Sequence, residues 1–412
     1  MAMTPDHLGD LPLHMACHNK YRYEVANMVK LFLELAPDAA KAENNKGKTP
    51  LHIALEHKAS TEIIRMLIHA CPESVSKDTC CDYYTPLAVA IRNKAESGVF
   101  EMLVKADPSI TKKRDSRGRY PLYLALELRC SDFKIIKLLC TCPEAVSKGY
   151  SRGLNALFLG LAQSPVNPEI VEIILQTAPE SVRVTGGINR QTPLEVCYIR
   201  YTSAIRSRER HIGGDFNFEG RRGVERWWKV LVMVLKQVTT AAMGEDHGEW
   251  SILRAALSTD APSRVIQTIL GRYPAQVHQH DAKNGRSPLH MSCMLGGRSW
   301  IERRQHKNKD AIVNLILNAG ISAARRPDRQ GRYALNLLTE TGSVSPVVID
   351  KLIGAYPEAV GELDRKYNLY PFLVVAAGDN RVDRHDESVD RATVSSIYAL
   401  LRERPDLLKS CV

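Results

Sequence analysis

Apolar residues recur in short groups along the chain, and residues 46–81 show the pattern in full. Leu51, Ala54 and Leu55 are spaced to form one face of a short helix. A polar break follows at 57–60. A second helix is then predicted by the apolar set Ile63, Ile64, Met66, Leu67 and Ile68. Each such unit is therefore predicted to contain two short helices.

Turn and cap residues bracket both predicted helices. Gly47 supplies the left-handed backbone conformation of a tight turn. Thr49 suits the N-cap of the first helix, and Pro50 suits its first helical position. The second helix is predicted to end at Cys71, because a residue that precedes a proline avoids the helical region.

Two short phrases recur about every 36 residues. One is Thr-Pro-Leu-His-Ile-Ala at 49–54, and the other is a proline followed by an acidic, a small and an apolar residue, as at 72–75. A fixed period of this size predicts a stacked array, because one unit cannot bury its own apolar faces. We expect 1–412 to form a single all-α solenoid of about ten repeats. Its first helices are predicted to begin near Pro12, Pro50, Pro86, Pro121, Ala156, Pro193, Ser251, Pro288, Ala334 and Pro371.

The phrase at 49–54 resembles that of the ankyrin repeat, a turn and two antiparallel helices of about 33 residues. The resemblance implies an ankyrin-type helix-turn-helix solenoid with hairpin-like turns between repeats. In that family the histidine bonds to neighbouring turns, which implies a structural role for His14, His52 and His290. The chain departs from the family where proline replaces the glycine that usually ends the second helix.

Composition agrees with a folded chain that stays inside the cell. Apolar residues make up 44% and charged residues 25%, and the formal net charge of +10 allows an acidic partner. The sequence contains neither an 18-residue apolar stretch nor the features of a signal peptide. The 10 cysteines lack CxxC spacing. We interpret Cys17, Cys197 and Cys293 as reduced packing residues of an intracellular protein, cytoplasmic or nuclear.

Motifs of catalysis, cofactor binding and metal binding are missing from the sequence. It contains no Walker loop, no GxGxxG after a strand, no HExxH and no GxSxG. His278, His280 and Asp281 are close together but have no cysteine near them. We therefore expect no enzyme activity, no catalytic residue, no cofactor and no metal site.

Three inserts at 200–224, 296–310 and 378–390 interrupt the regular spacing, and the first two are basic. Each falls between two helices of one repeat, so they are expected to emerge on the same edge. The second helix of the sixth repeat is expected to resume at Arg226, with Trp227 or Trp228 in the core. The inserts either contact a partner or are polar additions without function. Their candidate binding residues are Arg206, Arg208, Arg210, Arg221, Arg222, Trp300, Arg303 and Arg304.

The turns between repeats form a second candidate surface, because stacking would align their basic residues into a stripe. This stripe is either the solvated edge of a basic protein or a site for an acidic protein segment. The candidate binding residues in the turns are Lys46, Lys48, Arg117, Arg119, Arg152, Arg190, Arg286 and Arg332. The same turns also contain Lys112, Lys113, Arg114, Lys283, Arg325, Arg326, Arg329, Arg365 and Lys366.

The function hypothesis that follows is a non-enzymatic scaffold or adaptor that binds another protein, one with an acidic surface. Its concave face and turn tips would form the contact. An alternative is an electrostatic binder of nucleic acid or anionic membrane, and a third is an adaptor cut from a longer chain. Repeat folds accept many partners, so partner identity and oligomeric state stay open.

Overall fold

The computed structural model describes residues 3–18, 25–79, 84–148, 155–186, 191–210, 217–243, 251–295, 302–340, 346–378 and 387–410. Within these ranges its elements are α-helices and short 3-10 helices, without a strand. The chain divides into two compact units, Met1–Val234 and Leu235–Val412. The prediction of an all-α repeat fold is confirmed.

The first unit holds repeats 1 to 5 and most of repeat 6. Each repeat consists of a first helix and a longer or equal second helix. In chain order the pairs are Pro12–His18 with Val25–Leu35, Pro50–Glu56 with Thr61–Ala70, Pro86–Arg92 with Ser97–Ala106, Pro121–Glu127 with Asp132–Thr141, Ala156–Leu161 with Pro168–Thr177, and Pro193–Arg210 with Asn217–Met243. The boundary between the two units falls inside the last of these helices.

The second unit holds repeats 7 to 10, built in the same way. Its pairs are Ile252–Ser258 with Ser263–Arg272, Pro288–Cys293 with Glu302–Ala319, Ala334–Glu340 with Pro346–Ala355, and Pro371–Gly378 with Glu387–Glu403. The predicted helix starts are confirmed throughout, with a shift of one residue in repeat 7, where Ser251 is the N-cap.

The second repeat shows how apolar spacing produces the stack. Leu51, Ala54 and Leu55 are buried in its first helix, whereas Glu56 is exposed. This helix packs against the first helices of repeats 1 and 3. The second helix of repeat 2 likewise packs against the second helices of repeats 1 and 3. Burying one leucine side chain contributes roughly 1.5–3 kcal/mol, so each repeat is stabilised mainly by its neighbours.

The proline phrase after the second helix forms one turn of 3-10 helix, as at Pro72–Ser76. Cys71 precedes it with φ −143° and ψ 84°, which confirms that the helix ends there. The small and apolar residues of the phrase, Ser74 and Val75, are 2% and 0% exposed. The hydroxyl of Ser74 donates to the carbonyl oxygen of Cys71 at 2.6 Å. The sequence phrase predicts the helix end but not this turn.

The insert of repeat 6 is more helical than the sequence analysis expects. The expectation that its second helix resumes at Arg226 is wrong, because this helix already begins at Asn217. Its first helix continues to Arg210. Val224 is 5% exposed, so the added turns of the second helix contribute an apolar side chain to the core. That packing and the extra backbone hydrogen bonds offset the helix cost of Gly220 and Gly223.

Candidate protein-interaction surface

The turn that precedes a first helix is closed by an acidic or amide side chain. In the fourth repeat, Oδ1 of Asp115 accepts hydrogen bonds from the backbone N–H groups of Arg117 and Arg119, at 3.0 and 2.9 Å. Gly118 follows with φ +72°, a conformation that favours glycine. The signal is Asp or Asn three residues before the glycine, and the helix phrase alone does not predict it. The same arrangement occurs at Asn44 and Asp328.

A buried histidine at the start of three first helices reaches the turn of the next repeat. Nε2 of His14 lies 3.0 Å from the carbonyl oxygen of Lys48. In the same way, Nε2 of His290 lies 3.2 Å from the carbonyl oxygen of Arg332. His52 makes the equivalent bond. The structural role that the family resemblance implies for these histidines is confirmed.

These bonds determine the protonation state of the histidines. A carbonyl oxygen only accepts, so Nε2 of His52 carries the proton and Nδ1 is left to accept from the backbone N–H of Thr49 at 3.2 Å. Burial lowers the pKa of His52 to about 4 and that of His290 to about 4. Burial also lowers the pKa of His14. The neutral imidazole is therefore the form that the fold requires.

In the first unit, the basic residue directly after the turn glycine pairs with carboxylates. Nζ of Lys48 lies 2.5 Å from Glu56, at the end of the same first helix. Arg119 lies 2.8 Å from Asp115 and 2.7 Å from Glu127, and its side chain is 9% exposed. In both cases the helix glutamate follows the basic residue by eight positions. That spacing is a sequence signal for an internal ion pair rather than for a free cation.

In the second unit, two such arginines also connect consecutive turns. Nε of Arg286 lies 3.4 Å from Asp328, and Nε of Arg332 lies 3.1 Å from Asp364. Arg332 also pairs with Glu340, eight residues further on, and its side chain is 4% exposed. These arginines hold neighbouring repeats together.

Glu340 is the centre of this ion-pair network. Burial alone would raise its pKa, but hydrogen bonds from Arg332, Lys366 and Tyr367 outweigh burial and lower the pKa to about 2. The charge of Arg332 is therefore balanced inside the protein. Of the eight turn candidates, Lys48, Arg119, Arg286 and Arg332 are thus held in ion pairs.

Two other turn candidates face solvent. Lys46 and Arg117 are exposed, and no described residue forms an ion pair with either of them. Both stand one position before the turn glycine, in repeats 2 and 4. Arg152 and Arg190 lie outside the described residues. The described turns therefore contain two kinds of cation, which the repeat phrases alone do not distinguish.

The insert candidates lie mainly on helices. Arg206, Arg208 and Arg210 are on the first helix of repeat 6, and Arg221 and Arg222 are on its second helix. Arg206 and Arg222 are exposed. Arg303 and Arg304 lie at the start of the helix Glu302–Ala319, and Trp300 lies outside the described residues.

The tryptophans of repeat 6 serve packing. Trp228 is 5% exposed, and its ring centroid lies 5.5 Å from that of Tyr201 on the first helix. Trp227 is half-buried. The expectation that at least one tryptophan faces the core is confirmed, and this aromatic pair joins the two long helices.

The cysteines at the small-residue positions of the repeats are buried. Cys17, Cys197 and Cys293 are at most 1% exposed, and burial raises the pKa of Cys17 and Cys293 to about 12. These thiols pack as small apolar groups.

In the described part of the chain, no group of three or more His, Cys, Asp or Glu side chains could hold a metal ion. No helix of that part is both long and apolar enough to cross a membrane.

Comparison with known proteins identifies the repeats. Residues 2–78 match the family model of ankyrin repeats, in 3 copies. Together with the helix-turn-helix units, this match confirms that the protein contains ankyrin repeats. A search of curated proteins found no match.

Among solved structures, the chain is similar to one described as the predatory endopeptidase Bd0816 from Bdellovibrio bacteriovorus in complex with immunity protein Bd3460. The sequence identity is 18%, and the match covers 47% of this chain and 91% of that chain. The TM-score is 0.37, so this similarity carries no argument about function.

Proposed function

We propose that the protein is a non-enzymatic scaffold or adaptor that binds another protein through its turn tips and the neighbouring surface of its first helices. Ankyrin repeats are modules of protein–protein interaction, and stacked repeats present an extended surface for a partner. Free reduced cysteines suit an intracellular location, cytoplasmic or nuclear.

The division of the turn cations carries this proposal. Lys48 and Arg119 are neutralised by carboxylates, whereas Lys46 and Arg117 in the same turns are exposed and free of ion pairs among the described residues. Lys48 and Arg119 therefore stabilise the fold through their ion pairs. The exposed pair is therefore available to attract an acidic partner, which would bind faster at low salt than at high salt.

The arginines of repeat 6 extend the proposed surface. Arg206 and Arg222 are exposed on helices that are held together by Trp228 and Tyr201. A rigid helical support lowers the ordering cost of binding compared with a flexible loop. We therefore propose that these arginines add specificity to the contact.

Affinity capture from a native extract tests the function. The intact chain is compared with Lys46→Glu/Arg117→Glu and with the control Lys30→Glu/Lys229→Glu, which changes the net charge equally at exposed positions of second helices. We expect the first variant to lose partners that the intact chain and the control retain. Equal capture by all three chains would contradict the proposed surface. Recovery of nucleic acid or acidic vesicles without a protein partner would contradict the proposed function.

A further inference from the structure

Two consecutive turns of the second unit, at 328–332 and 364–368, keep their acidic groups inside. The side chains of Asp328 and Asp364 are both 0% exposed. Oδ1 of Asp328 accepts from two backbone N–H groups at 2.9 Å, and Oδ1 of Asp364 accepts from the N–H of Lys366 at 2.8 Å. Their other oxygens accept from Arg286 and Arg332. These carboxylates cannot neutralise a charge at the surface.

The next residue in each turn is an arginine that points the opposite way. Arg329 and Arg365 follow the two aspartates, are exposed, and have no ion-pair partner among the described residues. Each lies across the glycine of the preceding turn. A Cβ atom on Gly285 would lie 2.8 Å from Cγ of Arg329, and one on Gly331 would lie 2.6 Å from Nε of Arg365. The glycines therefore let the arginine stems pack flat while the charges stay in water.

The surroundings of these arginines are basic and partly apolar. Lys283, in the turn at 281–286, and Arg326, two residues before the turn at 328–332, are exposed, and Glu362 is an exposed acid close in sequence. Leu363 is 42% exposed, two residues before Arg365. A ligand that combines carboxylates with an apolar side chain would match this surface better than a purely ionic one.

The tyrosines near these turns are engaged within the protein. The hydroxyl of Tyr367 donates to Glu340 at 2.7 Å, and Nζ of Lys366 lies 4.7 Å above its ring. Tyr333 packs on Tyr356 with ring centroids 5.2 Å apart. Single-stranded nucleic acid is bound by stacking of its bases on open aromatic faces. The occupied tyrosines favour a protein segment over nucleic acid.

We propose that Arg329 and Arg365 form a docking edge for an extended acidic segment of another protein, with an apolar side chain of that segment on Leu363. This inference rests on the proposed function, and it names a site and a partner chemistry. Neighbouring repeats lie roughly 8–10 Å apart, and an extended chain advances about 3.3 Å per residue. Carboxylates about three residues apart in the partner would therefore reach the two arginines.

Fluorescence anisotropy with the full chain tests the docking edge. The probe is a fluorescein-labelled ten-residue peptide with glutamate at every third position and leucine and serine between them. We expect Arg329→Gln/Arg365→Gln to weaken its binding at low ionic strength by about tenfold, because two charge pairs are lost. Arg329→Lys/Arg365→Lys should retain most of the affinity. The matched control Lys30→Gln/Lys229→Gln removes the same charge from exposed positions on second helices of the first unit and should change the affinity less than threefold.

Several outcomes would overturn the docking edge. One is equal peptide affinity in the intact chain and Arg329→Gln/Arg365→Gln, with both shown to be folded by circular dichroism. Another is tighter binding of a labelled ten-nucleotide DNA strand that depends on the same arginines. If either occurs while the intact chain still captures a protein through Lys46 and Arg117, the docking edge fails and the proposed function stands. If the intact chain captures no protein, the proposed function itself fails.

Discussion

The Nε2 atom of His52 lies 3.2 Å from the carbonyl oxygen of Tyr84, a residue 32 positions further along the chain. The same imidazole accepts a hydrogen bond from the backbone N–H of Thr49. One side chain therefore caps its own helix and ties its repeat to the next. His290 repeats this arrangement with Ser287 and Arg332. The bonds that Nδ1 accepts from Thr49 and from Ser287 need the neutral ring, which links stability to pH.

Stability is predicted to fall between pH 6.5 and pH 4. The pKa of His52 and His290 is about 4 in the folded protein and 6.5 in the unfolded chain, so the unfolded chain binds more protons in this window. For each of the two histidines, the free energy of unfolding should be about 2 kcal/mol lower at pH 5 than at pH 8. Urea unfolding at both pH values measures the difference. In His52→Gln/His290→Gln the difference should shrink, and an undiminished one would contradict this assignment.

Removal of one inter-repeat histidine should destabilise the protein. His290→Ala leaves the buried N–H of Ser287 and the carbonyl of Arg332 without their partner, which should cost about 2–4 kcal/mol. His69 is exposed on a second helix, so His69→Ala should cost less than about 0.5 kcal/mol. Thermal or urea unfolding compares the two variants. Equal losses would show that burial of the ring and its bonds is not the cause.

Arg332 and Arg329 provide a test of which turn cations are structural. Arg332→Leu leaves Asp364 buried without its guanidinium, so we expect a loss of about 3–5 kcal/mol. Arg329→Leu removes an exposed charge and should cost less than about 0.5 kcal/mol. Differential scanning calorimetry at pH 7 distinguishes them. A small loss for Arg332→Leu would contradict the ion-pair network.

Gly331 and Gly354 offer a comparison of two glycines in one repeat. Gly331 has φ +73°, and a Cβ atom there would collide with Arg365, so Gly331→Ala should cost about 1–2 kcal/mol. Gly354 is helical, and a Cβ atom there would meet nothing within 4 Å. Gly354→Ala should instead stabilise by up to about 1 kcal/mol. Urea midpoints measure both changes, and the same sign for both would contradict this account.

The repeat phrases predict the helices well because their information is local. Pro50 begins its helix as expected, and Cys71 ends the following one before Pro72. A cap, a proline and an apolar spacing act on residues within one or two turns of the chain. The structural role of His52 could be inferred only through the family resemblance, since its partner Tyr84 belongs to the next repeat.

The length of the helices in repeat 6 could not be inferred in the same way. Asn217 begins a helix within a stretch whose sequence predicts a basic insert that contains glycines. Local propensity there is weak because Gly220 and Gly223 disfavour a helix. Packing of Val224 and Trp228 offsets that cost, and packing is set by residues distant in sequence.

By itself, the sequence determined the positions of caps, turns and helix starts, and with them the repeat architecture. It did not separate Arg329 from Arg332, which stand three positions apart in one turn. Only the tertiary structure decided that Arg332 is 3% exposed while Arg329 faces solvent. The reason is physical: an ion pair depends on which carboxylate is near in space, and Asp364 reaches Arg332 only when the next repeat stacks beside it.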